Sequence, residues 1–149
     1  MEFFSQRLFQ ELKITPTPLV TMYRAQAESA KVGFDFASLD LAFERLAEEV
    51  HELSAAIQNQ ESHQEIADEG LDIIFGLVNV LRHAGMSESE FSNWITTVIP
   101  ESHPSLEHLQ TRFKSVRAAV ETGNTSEIIS QSKTYFPTPL GFVGQYTDT

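Results

Sequence analysis

Apolar residues recur at the helical period through most of the chain, and no window shows the alternation expected of a strand. The pattern predicts a first helix over residues 18–32 that stops at Gly33, a glycine placed as a C-terminal cap. A second helix is predicted after Ser38 or Asp40, either of which suits an N-cap, with apolar residues at alternating steps of four and three as far as Ile57. This spacing is typical of the seam of a helix bundle.

A third predicted helix, in the stretch "EIADEGLDIIFGLVNVLRHAG", is apolar around most of its circumference and is ended by Gly85. Such a helix is expected at the centre of the core. A fourth opens at "SESEFSNWITTV", where Ser87 and Glu90 have the spacing of a capping box. It breaks near Pro100 and resumes as "SLEHLQTRFKSVRAAVETG".

The two ends of the chain carry weaker patterns. Within residues 1–14, apolar residues at steps of four indicate a short helix before "TPTP". Residues 124–149 form a C-terminal extension, and its stretch "YFPTPLGFVGQYTDT", rich in Pro, Gly and aromatics, is expected to be an extended strap or loose. The prediction is one all-α domain over residues 1–149 with a helical core at residues 18–123.

Composition narrows the class of protein. A net charge of −11 with only ten Lys and Arg argues against a nucleic-acid partner. The absence of cysteine excludes disulfides, zinc–thiolate sites and thiol nucleophiles, and fits a reducing compartment. The start of the chain lacks the features of a signal peptide, and the longest mostly apolar run, residues 73–81, is too short to span a bilayer. We therefore expect a cytoplasmic protein with no membrane partner.

The second predicted helix crowds Glu48, Glu49 and Glu52 onto one and a half turns. Like charges at this spacing repel by a few tenths of a kcal/mol per pair. At about 100° per residue the three glutamates flank the apolar seam. Either water and salt compensate the repulsion, which would make this a solvated face, or a bound cation does.

The third predicted helix places its acids in the one narrow polar stripe of a mostly apolar surface. These acids are Glu65, Asp68, Glu69 and Asp72. A carboxylate beside a buried seam is costly unless it is paired or binds a metal. Acids at i, i+3 spacing on two facing helices would form an oxygen-lined cage, which suits Mg²⁺ or Mn²⁺ and, through it, a phosphate substrate.

The same stripe continues from Asp72 through Gly76, Asn79 and His83. A glycine leaves room for a ligand, and an asparagine can read a polar edge of a base. We therefore expect a pocket floor with the metal at one end and an apolar wall supplied by the turn, from Phe34 or Phe36. Simpler roles exist: His83 suits the negative end of a helix dipole, and Asn79 can bond a neighbouring backbone group.

At this point the residues resemble a known family. "EEVHE", followed after sixteen intervening residues by "EGLD", resembles the E-E-x-x-E and E-x-x-D signature of MazG-like nucleoside triphosphate pyrophosphohydrolases. "PLVTMYRAQAESAKVGFDF" and "DEGLDIIFGLVNVLRHAGMSESE" are similar to the first helix and the metal-binding helix of that all-α group. The likeness covers residues 18–90 and, more weakly, residues 106–120. It implies a four-to-five-helix MazG-like bundle assembled as a dimer.

The resemblance implies Mg²⁺-dependent (or Mn²⁺-dependent) hydrolysis of a nucleoside triphosphate to its monophosphate and pyrophosphate. Glu48 would then be the catalytic base or a ligand of a second metal ion. The implied metal ligands are Glu49, Glu52, Glu69 and Asp72. The implied substrate-binding residues are Arg24, Lys31 and Arg112 for phosphate and Phe34, Phe36, Gly76, Asn79 and His83 for the nucleoside. His108 stands where the family usually has a lysine, and Phe36 where it often has tryptophan.

Two alternatives stay open. A di-iron carboxylate bundle needs two Glu-x-x-His motifs, and only Glu48 with His51 offers one. A catalytically weak MazG-like nucleotide-binding or regulatory module is the second, because His108 replaces a phosphate-contacting cation. A homodimer is also expected because four helices, one of them almost wholly apolar, present more apolar surface than a monomer of this size can cover.

Overall fold

The structure is a computed structural model that describes residues 17–147, so the predicted helix within residues 1–14 lies outside the described residues. Residues 17–147 are helical and contain no strand, which confirms the all-α prediction. None of their helices is long and apolar enough to cross a bilayer. The helices are α1 (Thr17–Lys31), α2 (Leu39–Gln58), α3 (His63–His83), α4 (Glu88–Ile95), α5 (Leu106–Thr122), α6 (Thr125–Tyr135) and α7 (Pro137–Thr147). They exceed the four or five that were predicted.

The helix ends follow local capping chemistry, which is why the predicted boundaries are close to the observed ones. Ser38 caps α2 by accepting a hydrogen bond from the backbone N–H of Leu41. Ser87 and Glu90 form the predicted capping box at α4. Gly33 follows the end of α1 with a φ of +93°, a left-handed conformation that glycine adopts at no steric cost.

Helix α3 lies at the centre of the core, as its apolar circumference predicts. It packs against α2 and α7 most extensively, and also against α1 and α6. Its buried side chains therefore face several neighbours rather than one. This burial leaves only a narrow part of α3 for polar residues.

The C-terminal extension is neither an extended strap nor loose; that expectation was wrong. Residues 125–147 form α6 and α7, which bury aromatic and aliphatic side chains against α3. The buried residues are Ile128, Tyr135, Phe136, Leu140, Phe142 and Val143. Pro137 and Pro139 are compatible with a helix because they occupy the first turn of α7, where backbone N–H groups have no partner within the helix.

This packing also changes the argument for a dimer. The apolar face of α3, on which that expectation depended, is covered within residues 17–147 by α1, α2, α6 and α7. One copy therefore covers the apolar helix that was expected to exceed what a monomer can cover, so this argument for a dimer fails, while the dimer itself stays a prediction. Among the residues whose burial is described, 18–147, the large apolar side chains that remain exposed are Val32, Phe34, Leu41 and Ile99.

Gly141 sets how closely α7 can approach the loop before α5. A Cβ at this position would overlap the backbone oxygen of Glu101 and approach Pro104 Cγ to 3.1 Å. We expect Gly141→Ala to lower the free energy of unfolding by about 1 to 3 kcal/mol, as overpacking of a tight site usually does. Urea denaturation measures this change. Gln145→Ala, at an exposed position of the same helix, is the control and should shift stability by less than about 0.5 kcal/mol; equal effects would contradict the account.

Candidate metal centre

Packing of α2 against α3 brings four carboxylates together. Glu49 and Glu52 lie three residues apart on α2, and Glu69 and Asp72 three residues apart on α3, so each pair shares one helix face. One carboxylate oxygen from each residue lies within 4.8 Å of the other three. These four residues, which we call the acid cluster, are the same four that the family resemblance implies as metal ligands. They could hold a metal ion.

Two oxygen atoms of the acid cluster are buried without a hydrogen-bond donor. The side chain of Glu49 is only 5% exposed; its Oε1 lies 2.7 Å from Nη2 of Arg45, and its Oε2 has no hydrogen-bond partner in the described part of the chain. Oε2 of Glu69 is also buried and lacks a partner there. Leaving a buried acceptor unsatisfied costs free energy, and the cost is larger for a charged group. A cation among these oxygens would remove that cost.

The surroundings of the acid cluster disfavour negative charge. Burial, followed by the neighbouring charge of Asp72, raises the pKa of Glu49 to about 7. Burial, followed by the charge of Glu52, raises the pKa of Glu69 to about 7, and the same two causes raise the pKa of Asp72. The opposing charge is that of Arg45, which lowers the pKa of Glu49 and of Asp72 but does not cancel the burial.

Glu48 lies apart from the acid cluster. Its carboxylate is exposed and accepts a 2.8 Å hydrogen bond from Nη1 of Arg45. Arg45 thus bridges Glu48 and Glu49, and sequence reasoning missed it. Its i, i+3 and i, i+4 spacing to the two glutamates was the signal that could have identified it.

Gly76 does not form a pocket floor, and that expectation was wrong. A Cβ at Gly76 would lie 3.1 Å from Cδ1 and 3.4 Å from Cα of Leu46. The space that the glycine leaves is filled by α2, which approaches α3 closely at this point. A substitution such as Gly76→Leu would therefore disturb helix packing rather than block a ligand.

A cavity of about 540 Å³ nevertheless lies farther along the same side of α3, between α1, the loop after α1, and α3. Three residues assigned to the nucleoside, Phe34, Phe36 and Asn79, are among the residues that line it. Sequence reasoning missed Gln26, Phe75 and Arg82, which also line it. We call this cavity the α1–α3 pocket.

His83 anchors the loop rather than lining the pocket. Its Nε2 lies 2.9 Å from Oδ1 of Asp35, and Nη1 of Arg82 donates to Oδ2 of Asp35 at 3.2 Å. The Arg82 guanidinium, with His83 in a smaller role, holds the pKa of Asp35 well below its usual range. The loop that carries Phe34 and Phe36 is therefore fixed to the C-terminal end of α3.

The cations assigned to phosphate are dispersed over the fold. Arg24 pairs with Glu88 at 2.9 Å, and Lys31 pairs with Glu28 at 3.0 Å, all four being surface side chains. Arg112 is half-buried on α5, outside the lining of the α1–α3 pocket. Arg24 and Lys31 lie on α1 and Arg112 lies on α5, and none of the three lines the α1–α3 pocket.

His108, which stands where the resembling family has lysine, lies 3.0 Å from Oε1 of Glu101 through its Nε2. Glu101 in turn accepts from the hydroxyl of Thr138 at 3.3 Å. The His108 side chain therefore contacts the segment that docks α7, and its hydrogen-bond partner there is a carboxylate.

Comparisons with protein-family models, with curated proteins and with solved structures find no match to this chain. The family resemblance therefore depends on the quoted sequence motifs alone and stays a prediction. The acid cluster and the α1–α3 pocket are observed independently of it.

The raised pKa values of Glu49 and Glu69 predict a pH dependence of stability in metal-free protein. Both values lie above the ordinary 4.5, so between pH 4.5 and about 7 the folded chain binds more protons than the unfolded chain. The contribution of these groups to the free energy of unfolding must then fall as pH rises through that window. Denaturation in EDTA at several pH values measures this fall, and Glu69→Gln should make it shallower. Identical pH profiles for the two proteins would contradict the assignment.

Proposed function

We propose that this chain is a metal-dependent nucleoside triphosphate pyrophosphohydrolase of the MazG-like kind, which releases the nucleoside monophosphate and pyrophosphate. The observation that carries the proposal is the acid cluster, four convergent carboxylates with two buried oxygens that lack donors. The motif resemblance supplies the reaction class. Mg²⁺ is the proposed cofactor, with Mn²⁺ as a substitute, because an all-carboxylate set suits hard divalent cations.

In this proposal Glu49, Glu52, Glu69 and Asp72 would hold the metal ion, and the ion would supply charge neutralisation for the triphosphate and activation of water. The buried and exposed sides of the acid cluster have different roles in this proposal. On the buried side, Glu49 is held in place by Arg45 and is the preorganised ligand. Glu52 is exposed and can turn to an incoming ligand. The chain thereby excludes water from one side of the site and leaves the other accessible.

Glu48 is the candidate base. Because it lies outside the acid cluster, its role can be tested separately from metal binding. Its carboxylate is exposed and ion-paired with Arg45, outside the acid cluster. As a base it would have to leave this ion pair to take a proton from water. Loss of turnover in Glu48→Gln with metal affinity retained would support that role.

The α1–α3 pocket supports a nucleotide as the substrate. Asp72 and Asn79 are seven residues apart, which places them on nearly the same face of α3 and about 10 Å apart along its axis. A triphosphate at the acid cluster would therefore point its nucleoside towards Asn79 and the aromatic side chains of the loop. The pocket volume of about 540 Å³ is within the range of small-molecule sites.

The second candidate function is a catalytically weak nucleotide-binding or regulatory module of the same fold. The observation that favours it is the dispersal of the assigned phosphate-binding cations, of which Arg24 and Lys31 already pair with acids. His108 likewise faces Glu101. A protein of this second kind would bind nucleotide and metal without releasing pyrophosphate.

We expect Glu52→Gln and Asp72→Asn each to lower Mg²⁺-dependent pyrophosphate release at least about 100-fold, since each removes a carboxylate ligand from the acid cluster. Neither should destabilise the metal-free fold, because each removes repulsion among clustered acids. An assay across common and modified nucleoside triphosphates measures the activity, and thermal unfolding in EDTA measures the fold. Glu44→Gln, an exposed glutamate of the same helix, is the matched control.

Two results would contradict this assignment. Pyrophosphate release at the wild-type rate from either cluster variant would show that the acids do not take part in turnover. An unchanged melting temperature of the wild-type chain on addition of Mg²⁺ would show that the folded state does not bind the ion. Metal binding without turnover in the wild type would favour the second candidate function.

We also propose a homodimer as the working assembly, on the strength of the family resemblance. Phe34, 78% exposed beside the α1–α3 pocket, and the exposed Val32 of the same segment are the apolar residues that a second copy could cover. Sedimentation of the full chain should give the mass of two copies. A compact monomer at micromolar concentration would refute this assembly.

A further inference from the structure

The guanidinium of Arg45 lies between two carboxylates with different surroundings. Its Nη1 donates to Oε2 of Glu48 at 2.8 Å, and its Nη2 lies 2.7 Å from Oε1 of Glu49. The side chain of Glu48 is 63% exposed, whereas that of Glu49 is 5% exposed and belongs to the acid cluster. Arg45 therefore joins a solvent-facing carboxylate to a buried one.

This arrangement differs from an ordinary surface ion pair, which contributes little to stability. Nη1 and Nη2 belong to one planar group, so the two carboxylate oxygens that they contact face a common space. Among residues 17–147, no other Lys or Arg pairs with a member of the acid cluster. A permanent positive charge therefore occupies the space between Glu48 and Glu49.

A metal ion held jointly by Glu48 and Glu49 would need that same space. Mg²⁺ approaches carboxylate oxygens to about 2.0–2.1 Å, so it would meet the oxygens that the nitrogens of Arg45 already contact. Repulsion between a divalent cation and a guanidinium that does not lose its proton adds to this competition. Arg45 thus disfavours a metal ion at Glu48.

Glu49 divides its two oxygens between two kinds of partner. Oε1 contacts Arg45, and Oε2 is buried without a hydrogen-bond partner in the described part of the chain. In two-metal sites, where the ions lie roughly 3.5–4 Å apart, a carboxylate can bridge them by giving one oxygen to each. Glu49 resembles such a bridge, with Arg45 at one oxygen and the other oxygen open to one ion.

We propose that Arg45 takes the place of a second metal ion, so that each chain binds one divalent cation, at the acid cluster, and Glu48 is not a metal ligand. This inference depends on the proposed function for that one ion. It decides between the two roles, base and ligand of a second ion, that the family resemblance implies for Glu48. Without the guanidinium, Glu48 and Oε1 of Glu49 become free to bind a second ion.

Equilibrium dialysis of the full chain against Mn²⁺ counts the bound ions independently of turnover. We expect one ion per wild-type chain at saturation and two per chain in Arg45→Gln. The double variant Arg45→Gln/Glu48→Gln should return to one, because it lacks a carboxylate that the second ion needs. Lys114→Gln, which removes a positive charge from an exposed position of α5, is the matched control and should bind one ion.

A conservative variant separates the charge of Arg45 from a general disturbance of α2. Arg45→Lys keeps a cation beside the two glutamates and should keep the count at one. Arg45→Ala removes the charge in a second way if Arg45→Gln does not fold, and thermal unfolding in Mn²⁺ verifies that each variant is folded.

Two kinds of result would overturn the inference while leaving the metal site of the proposed function in place. The first is a count of two ions in the wild type, in Arg45→Lys or in the double variant. The second is a count below two in a folded variant that lacks the charge of Arg45. Absence of binding to the wild-type chain would overturn the inference and the metal site together, and pyrophosphate release reports on the proposed reaction separately.

Discussion

The close contact between α2 and α3 is the constraint on which the candidate site depends. Gly76 lets α2 approach until Leu46 fills the space of a missing side chain. At that separation the i, i+3 acids of the two helices must share one volume, and the same contact buries Glu49. The chain therefore keeps a packing arrangement that is electrostatically unfavourable without a cation, since the pKa values of three of the four acids are raised.

Packing in the rest of the fold compensates for the repulsion among these acids. Helix α3 is embedded among α1, α2, α6 and α7, and this apolar packing stabilises the fold against the repulsion in the acid cluster. Arg45 offsets part of the charge from the solvent side without occupying the centre. Functional sites often carry such local costs, which the surrounding core compensates.

Much of this organisation could be predicted from the sequence because it is set by short-range chemistry. Capping residues such as Ser38 and Ser87 define where helices begin, and the helical period alone places Glu69 and Asp72 on one face. The spacing of Arg45 to Glu49 carries the same kind of signal. Two facing acid pairs could thus be expected before any tertiary contact was known.

Other features depend on which distant parts of the chain meet, and sequence periodicity does not report that. From the sequence alone, Gly76 could either leave space for a ligand or allow two helices to pack closely. The position of Leu46 shows that it allows close packing. The hydrogen bond from the Gln26 side chain to the backbone oxygen of Phe75 likewise depends on how α1 packs against α3. The C-terminal helix was missed because Pro and Gly suggest a break, although prolines in a first turn are compatible with a helix.

The central claim, that the acid cluster is a cation site, is tested most directly by titrating the full-length chain with Mn²⁺ and following free ion by electron paramagnetic resonance. The account predicts saturable binding at pH 7.5 that Mg²⁺ displaces and that Glu69→Gln weakens at least about tenfold, while Glu44→Gln leaves it unchanged. Absence of saturable binding, or equal affinity in wild type and Glu69→Gln, would contradict it.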